Sequence, residues 1–173
     1  MTLRLEPLEQ SHELGPFDSG HGELDRWLRE HALSARAGGT RTYVLVESSE
    51  ASEPSRTVVG YFAIAPHLLA KAEAPGALSR GAPEQIPGVL LAKLALSRDR
   101  QGQGLGSELL VRALGTILEA ARSAGGRIVV VDAIDEERSG FYIKHDFQPL
   151  PGNPTRLVIK LSTVAKALGV GWP

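Results

Sequence analysis

Residues 1–6 (MTLRLE) alternate between polar and apolar side chains, the period of a strand with one covered face. A turn follows at Phe17-Asp18-Ser19-Gly20, where Asp18 or Ser19 is placed to cap a helix. From Gly22 to about Ala35, the residues Leu24, Trp27, Leu28, His31 and Ala35 recur at helical spacing and give that helix one apolar face. Trp27 and His31 read as core packing and its margin. Thr42–Glu47 and Thr57–Leu69 are rich in β-branched and aromatic residues and flank the polar run SSEASEPSR, which predicts two strands joined by a loop. Residues 70–88, rich in Ala, Pro and Gly without a clear period, read as an irregular surface connection, a common place for substrate contacts. Val89–Ser97 (VLLAKLALS) is nearly continuous in apolar character, as expected of a strand buried on both faces.

A glycine-rich stretch, Arg98-Asp99-Arg100-Gln101-Gly102-Gln103-Gly104-Leu105-Gly106, then leads into a long helix. The apolar positions of that helix are Leu109, Leu110, Ala113, Leu114, Ile117, Leu118 and Ala121, and Gly125-Gly126 ends it. Arg127–Ile134 reads as a second buried strand, followed by a short helix from about Glu136 to His145 and a last strand at Thr155–Leu161. Strand, crossover helix and strand over 89–134 imply a right-handed parallel unit, so the fold class is α/β. Residues 1–165 form the expected single domain. Residues 166–173 form a flexible C-terminal tail, and the end of the chain from Thr163, closing on Gly-Val-Gly-Trp-Pro, is expected to be mobile when free.

Composition narrows the function. Nineteen Lys and Arg against twenty Asp and Glu leave the 173-residue chain at a net charge of −1, which argues against a generally basic nucleic-acid or membrane-surface protein. With no cysteine there is no disulfide, thiolate nucleophile or Cys-based zinc site. The five histidines (His12, His21, His31, His67 and His145) show no metal-ligand spacing, so no metal is expected. No apolar run reaches the roughly 20 residues of a membrane span, and the N-terminus has no signal pattern, so a soluble cytoplasmic protein is expected.

Glycines at alternate positions between a buried strand and a helix suit an anion. The backbone can approach a phosphate closely, and the free N–H groups and dipole of the first helical turn point at it. The loop is not a Walker loop, because Ser107-Glu108 follows Gly106, and the Gly-x-Gly-x-Gly spacing is not the dinucleotide fingerprint. Gln101-x-x-Gly104-x-Gly106, with LLAKLALS before it and Phe141-Tyr142-x-x-x-x-Phe147 downstream, resembles the GCN5-related N-acetyltransferases (GNAT). The resemblance implies a central mixed, twisted sheet flanked by helices, with acetyl-CoA bound at splayed parallel strands. It implies that Gln101, Gly102, Gln103, Gly104, Leu105, Gly106 and Ser107 hold the pyrophosphate, with Arg98 close by. Leu94, Ala95 and Leu96 would pair with the pantetheine arm, and a backbone N–H there would polarise the thioester carbonyl. Tyr142 would contact the cofactor and act as the general acid toward the leaving thiolate. Two positions depart from the family: Asp146-Phe147 replaces its usual Gly-Phe, and Asp135 stands where it often carries Asn.

A narrower likeness joins Phe17-Asp18-Ser19-Gly20, Leu24-Asp25-Arg26-Trp27-Leu28, Thr40-Arg41-Thr42-Tyr43-Val44, Gly60-Tyr61-Phe62-Ala63, Ile86-Pro87, Leu90–Ala95 and Val131-Asp132-Ala133. These resemble the GNAT toxins of toxin–antitoxin pairs, with Lys93 where those toxins commonly carry Arg. That likeness implies acetylation of the α-amine of aminoacyl-tRNA, a homodimer, neutralisation by a small ribbon-helix-helix antitoxin, and substrate contacts by Arg41 and Lys93. The cations Arg36, Arg41, Lys71, Arg80, Lys93, Arg98 and Arg100 are candidates for a local tRNA patch. Asp132, Asp135 and Glu136 are available as a base should the acceptor be a lysine, whereas an α-amine of pKa about 7.7–8.0 needs none. The alternatives are the same chemistry on a small amine or protein amine, and a non-catalytic acyl-CoA-binding module.

Overall fold

The computed structural model describes residues 2–48 and 56–173. The predicted loop SSEASEPSR therefore falls, from 49 to 55, outside the described residues. The strands are β1 (Thr2–Pro7), β2 (Arg41–Ser48), β3 (Val58–Ala70), β4 (Gln85–Leu96), β5 (Ile128–Asp132), β6 (Gln148–Leu150) and β7 (Asn153–Lys160). The helices are α1 (Gly22–Glu30), α2 (Ala32–Ala35), α3 (Gly76–Ser79), α4 (Leu105–Ala124), α5 (Glu136–Ile143) and α6 (Leu161–Leu168). The strands make one mixed seven-stranded sheet in the order β1-β2-β3-β4-β5-β7-β6. β4 and β5 are parallel, and the pairs β1/β2, β2/β3, β5/β7 and β6/β7 are antiparallel. The chain divides into two compact units, residues up to Ile64 with Lys93–Ala113, and Ala65–Ala92 with Leu114 onward.

In the first unit Leu8, Phe17, Leu24, Leu28, Val44, Val46, Tyr61 and Ala95 close a buried core. Tyr61 organises it. Its hydroxyl donates to the Leu24 carbonyl at 2.7 Å, Phe17 meets its ring edge-on at 5.7 Å, and Trp27 stacks on it at 6.0 Å. Burial, with the Asp25 carboxylate nearby, pushes the Tyr61 phenol well above its usual range, so it stays a neutral donor. α1 is capped at His21 rather than at Asp18 or Ser19, and no side chain caps it. Asp18 instead accepts the Gly20 N–H (2.9 Å) in a turn that Gly20 completes at φ +87°. The helix predicted to reach Ala35 is interrupted at His31, whose φ of −123° leaves helical space, and His31 is exposed instead of sitting at the core margin.

In the second unit Leu69, Leu78, Ala82, Ile86, Ile128, Val130, Leu150 and Val158 form the core. The stretch 70–88, expected to be an irregular surface connection, contributes Ala74, Leu78, Ala82 and Ile86 to it. These side chains recur every fourth residue, and α3 with the turn at Lys71–Glu73 brings them to one side. β4 is mostly half-buried where burial on both faces was expected, and β5 registers with it only over Gly88–Leu91, opposite Ile128–Val131. At Gly88 the two strands are in close contact. A Cβ there would stand 2.4 Å from the Ile128 carbonyl oxygen and 2.6 Å from its Cγ1, so only glycine fits.

The turn after α5 explains one departure from the family pattern. Phe147 N–H bonds the Tyr142 carbonyl (3.2 Å) and Asp146 N–H the Ile143 carbonyl (3.0 Å), the two bonds of a Schellman motif. Its left-handed position is Asp146, at φ +70°, where glycine costs nothing and aspartate is tolerated. β6, which the sequence reading does not contain, follows directly. Lys166–Leu168 form the last turn of α6, Gly169 caps it in the left-handed region at φ +70°, and the Arg122 guanidinium donates to the Gly171 carbonyl.

Gly88→Ala is expected to cost about 1–3 kcal/mol or more, since backbone must move to admit the methyl. At roughly 2–4 °C per kcal/mol, calorimetry should show Tm falling by several degrees. Asp146→Gly should raise Tm by roughly 2–4 °C, through relief of about 1 kcal/mol of left-handed strain.

Candidate functional site

The loop after β4 has the local geometry of an anion cradle. Gly102 and Gly104 take φ of +77° and +78°, so the backbone alternates in handedness and turns successive N–H groups toward one side. A Cβ on either glycine would meet nothing within 4 Å, so the space above the loop is open. α4 starts at once, and its first intrahelical bond runs from Glu108 N–H to the Gly104 carbonyl (3.3 Å). Leu105 and Gly106 therefore stand in the first turn, at the positive end of a 20-residue helix. A pyrophosphate fits this shape and polarity.

The loop is tied down by groups whose role the sequence reading did not identify. The Gln101 side-chain amide donates both to the Leu96 carbonyl (2.8 Å) and to the Ser19 carbonyl (2.9 Å), bridging the end of β4 and the turn before α1. Arg98 N–H donates to the Asp18 carbonyl (2.8 Å), and Arg98 Nε lies 3.2 Å from the Asp18 carboxylate. The Gly20 N–H and the Arg98 charge hold that carboxyl below its ordinary range. Ser19 is fixed in turn by buried Asp25, which accepts its N–H (3.1 Å) and its hydroxyl (2.6 Å). Arg100 pairs with half-buried Glu47. A buried acid on the apolar face of α1 is the one sequence signal that points to this network.

The other expected residues sit as follows. Leu94 is half-buried and Ala95 and Leu96 are buried, on the part of β4 beyond its last residue registered with β5. Lys93 is half-buried, with Nζ 5.6 Å from the centre of the Trp27 ring, a cation–π contact. Arg41 is exposed and donates to the carbonyls of Arg36 (3.0 Å) and Thr40 (3.4 Å). Within the suggested cationic patch, Arg98 and Arg100 are thus matched by carboxylates.

Tyr142 belongs to the second unit. It is 6% exposed, between Phe141 (5.2 Å) and Phe147 (5.5 Å), both edge-on. Its hydroxyl has no hydrogen-bond partner among the described residues, and burial pushes the phenol far up, so it holds its proton throughout the physiological range. Of the candidate bases, Asp132 has both oxygens engaged by Arg156 (2.8 and 3.0 Å), Asp135 caps α5 through the Arg138 N–H (2.9 Å), and Glu136 lies in the first turn of α5. Beside that pair, burial and the Arg156 charge push His67 below its usual range. Among the described residues no group of three His, Asp or Glu is arranged to hold a metal, and no helix is long and apolar enough to cross a membrane.

No family model matches the chain. It is 35% identical over 163 residues to a tRNA-acetylating toxin of Mycobacterium tuberculosis, covering 94% of each protein. The chain belongs to the GNAT-family acetyltransferase toxins. The solved toxin AtaT in complex with acetyl-methionyl-tRNA is 28% identical with a TM-score of 0.86, covering 98% of this chain and 100% of AtaT. A Tyr-to-Phe mutant of AtaT bound to acetyl-CoA and to the C-terminus of the antitoxin AtaR is 27% identical with a TM-score of 0.79, covering 96% and 98%.

In this toxin the amide bridge of Gln101 should matter to a ligand it need not touch. Gln101→Ala loses both bridging bonds, each worth about 0.5–1.5 kcal/mol, and should weaken acetyl-CoA binding roughly tenfold, read by calorimetry, with Tm lowered by a few degrees. Unaltered affinity would show that the loop keeps its shape without the bridge.

Proposed function

We propose that this protein transfers the acetyl group of acetyl-CoA to the α-amine of aminoacyl-tRNA and thereby blocks translation. The observation that carries the reading is the near full-length similarity to a tRNA-acetylating toxin. The AtaT complexes with an acetylated aminoacyl-tRNA and with acetyl-CoA support the two substrates.

Acetyl-CoA, when bound, supplies an activated thioester. The N–H groups of Gly102–Ser107 cradle its pyrophosphate, Arg98 adds charge nearby, and the main chain of Leu94–Leu96 pairs with the pantetheine arm. One N–H of that strand polarises the carbonyl oxygen, where negative charge grows as the amine attacks. The C–N bond forms as the C–S bond breaks, and the sulfur leaves with the electron pair. Tyr142 donates its hydroxyl proton toward that sulfur, and the proton shed by the acceptor amine passes to water or restores the phenol. A phenol raised by burial is a weaker acid than a thiol of pKa about 8.5, so its hydrogen bond matters most while charge builds on sulfur. An α-amine is substantially neutral near pH 7.5 and needs no dedicated base. That agrees with Asp132 and Asp135 being engaged elsewhere. Arg41 and Lys93 contact the RNA substrate.

The same reading makes the toxin a cytoplasmic homodimer held inactive by a small ribbon-helix-helix antitoxin; the AtaT–AtaR complex supports the antitoxin partner alone. Light scattering that gives only an 18.5 kDa species at every concentration would remove the dimer.

Tyr142→Phe keeps the ring and removes the hydroxyl, so the fold and acetyl-CoA affinity should persist while kcat drops about 10²–10⁴-fold. Cells expressing the variant should grow. Because the phenol is active in its protonated form and burial raises its pKa, the wild-type rate should show no alkaline loss from this group below about pH 10. A folded, cofactor-binding variant with wild-type kcat would reduce Tyr142 to a packing residue. Gly104→Asp should put a carboxylate into the cradle and abolish acetyl-CoA binding in calorimetry. Unchanged affinity would move the pyrophosphate elsewhere.

A further inference from the structure

A cleft of about 510 Å³ opens in the second unit at the amino ends of β4 and β5, where Ile86 and Ile128 line it. The glycine loop, by contrast, follows the carboxyl end of β4. Arg122 of α4, Arg127 before β5, Lys160 at the end of β7, Ser162 and Trp172 line its walls, and none of its lining side chains is acidic. Pro173 also lines the cleft, and its carboxyl forms no ion pair with Arg127 or Lys160 among the described residues, so these converging cations repel one another until an anion joins them. Arg122 is partly compensated. Its Nε lies 3.4 Å from Glu119, it donates to the Gly171 carbonyl, and its guanidinium lies 5.8 Å over the Trp172 ring. Arg127 reaches only the Gly81 carbonyl, at 3.4 Å, and neither Arg127 nor Lys160 has a carboxylate partner among the described residues. Two free cations beside a half-exposed indole match an anionic group attached to a flat ring.

We propose that this cleft is a second phosphate-binding site, one that takes a nucleoside phosphate with Arg127 and Lys160 on the phosphate and Trp172 against the base. A free nucleotide and an RNA strand present the same group, and titration with AMP and with a short 5′-phosphorylated oligoribonucleotide distinguishes them. The chain has two tryptophans, so Trp27→Phe leaves Trp172 as the sole indole reporter, and calorimetry on the wild type provides a second readout. The expected result is saturable quenching of Trp172, weakened at least tenfold in Arg127→Gln/Lys160→Gln and unaffected by Gly104→Asp. Insensitivity to Gly104→Asp separates this site from the acetyl-CoA loop, so either assignment can fail alone. Binding of AMP assigns the site to a nucleotide, and binding of the oligonucleotide alone assigns it to RNA. Absence of binding by both ligands overturns the proposal. So does undiminished binding by the double variant, or loss of binding in Gly104→Asp.

Discussion

β4 and β5 can lie side by side only because residue 88 has no side chain. The Ile128 carbonyl occupies the volume that any Cβ would need, which fixes the parallel register over Gly88–Leu91. β4 then continues to Leu96 without registered pairing to β5. At that end the Leu96 carbonyl accepts the Gln101 side-chain amide. The glycine loop and the helix α4 follow from the same strand end. The constraint at Gly88 thus sets where β4 lies against β5.

The loop depends on a second set of contacts that begins far upstream. Buried Asp25 fixes Ser19, the Ser19 carbonyl receives the Gln101 amide, and the same amide holds the Leu96 carbonyl. A glycine-rich segment is conformationally costly to order, and these bonds offset part of that cost before any ligand arrives. The glutamine of the loop pattern therefore acts here as a brace between the end of β4 and the turn before α1.

Most of the sheet and α4 were legible because their hydrophobic periods are long and unambiguous, as in Thr57–Leu69 or Leu109–Ala121. The errors fall where local signals are short or tertiary. The break at His31 leaves the apolar spacing of α1 undisturbed, so periodicity passes over it. The core side chains Ala74, Leu78, Ala82 and Ile86 sit in a Pro- and Gly-rich run whose composition reads as surface. Asp146 looked like a departure from the acetyltransferase pattern, and its φ of +70° shows it meeting the same backbone requirement that glycine meets elsewhere. Motif alone singles out the glycine loop and Tyr142 as site candidates. The Gln101 bridge and the cationic cleft join residues distant in sequence, and no spacing announces them.

In the proposed mechanism the neutral buried phenol of Tyr142 serves the leaving sulfur, and the acceptor amine is already neutral near pH 7.5. The measurement that tests this most directly is acetyl transfer from isotopically labelled acetyl-CoA to purified charged tRNA, with the aminoacyl ester hydrolysed afterwards and the released amino acid identified by mass spectrometry. The account predicts a labelled N-acetyl-amino acid, with no label on uncharged tRNA. Label confined to protein lysines or free small amines, or no transfer by an enzyme that binds acetyl-CoA, would contradict it.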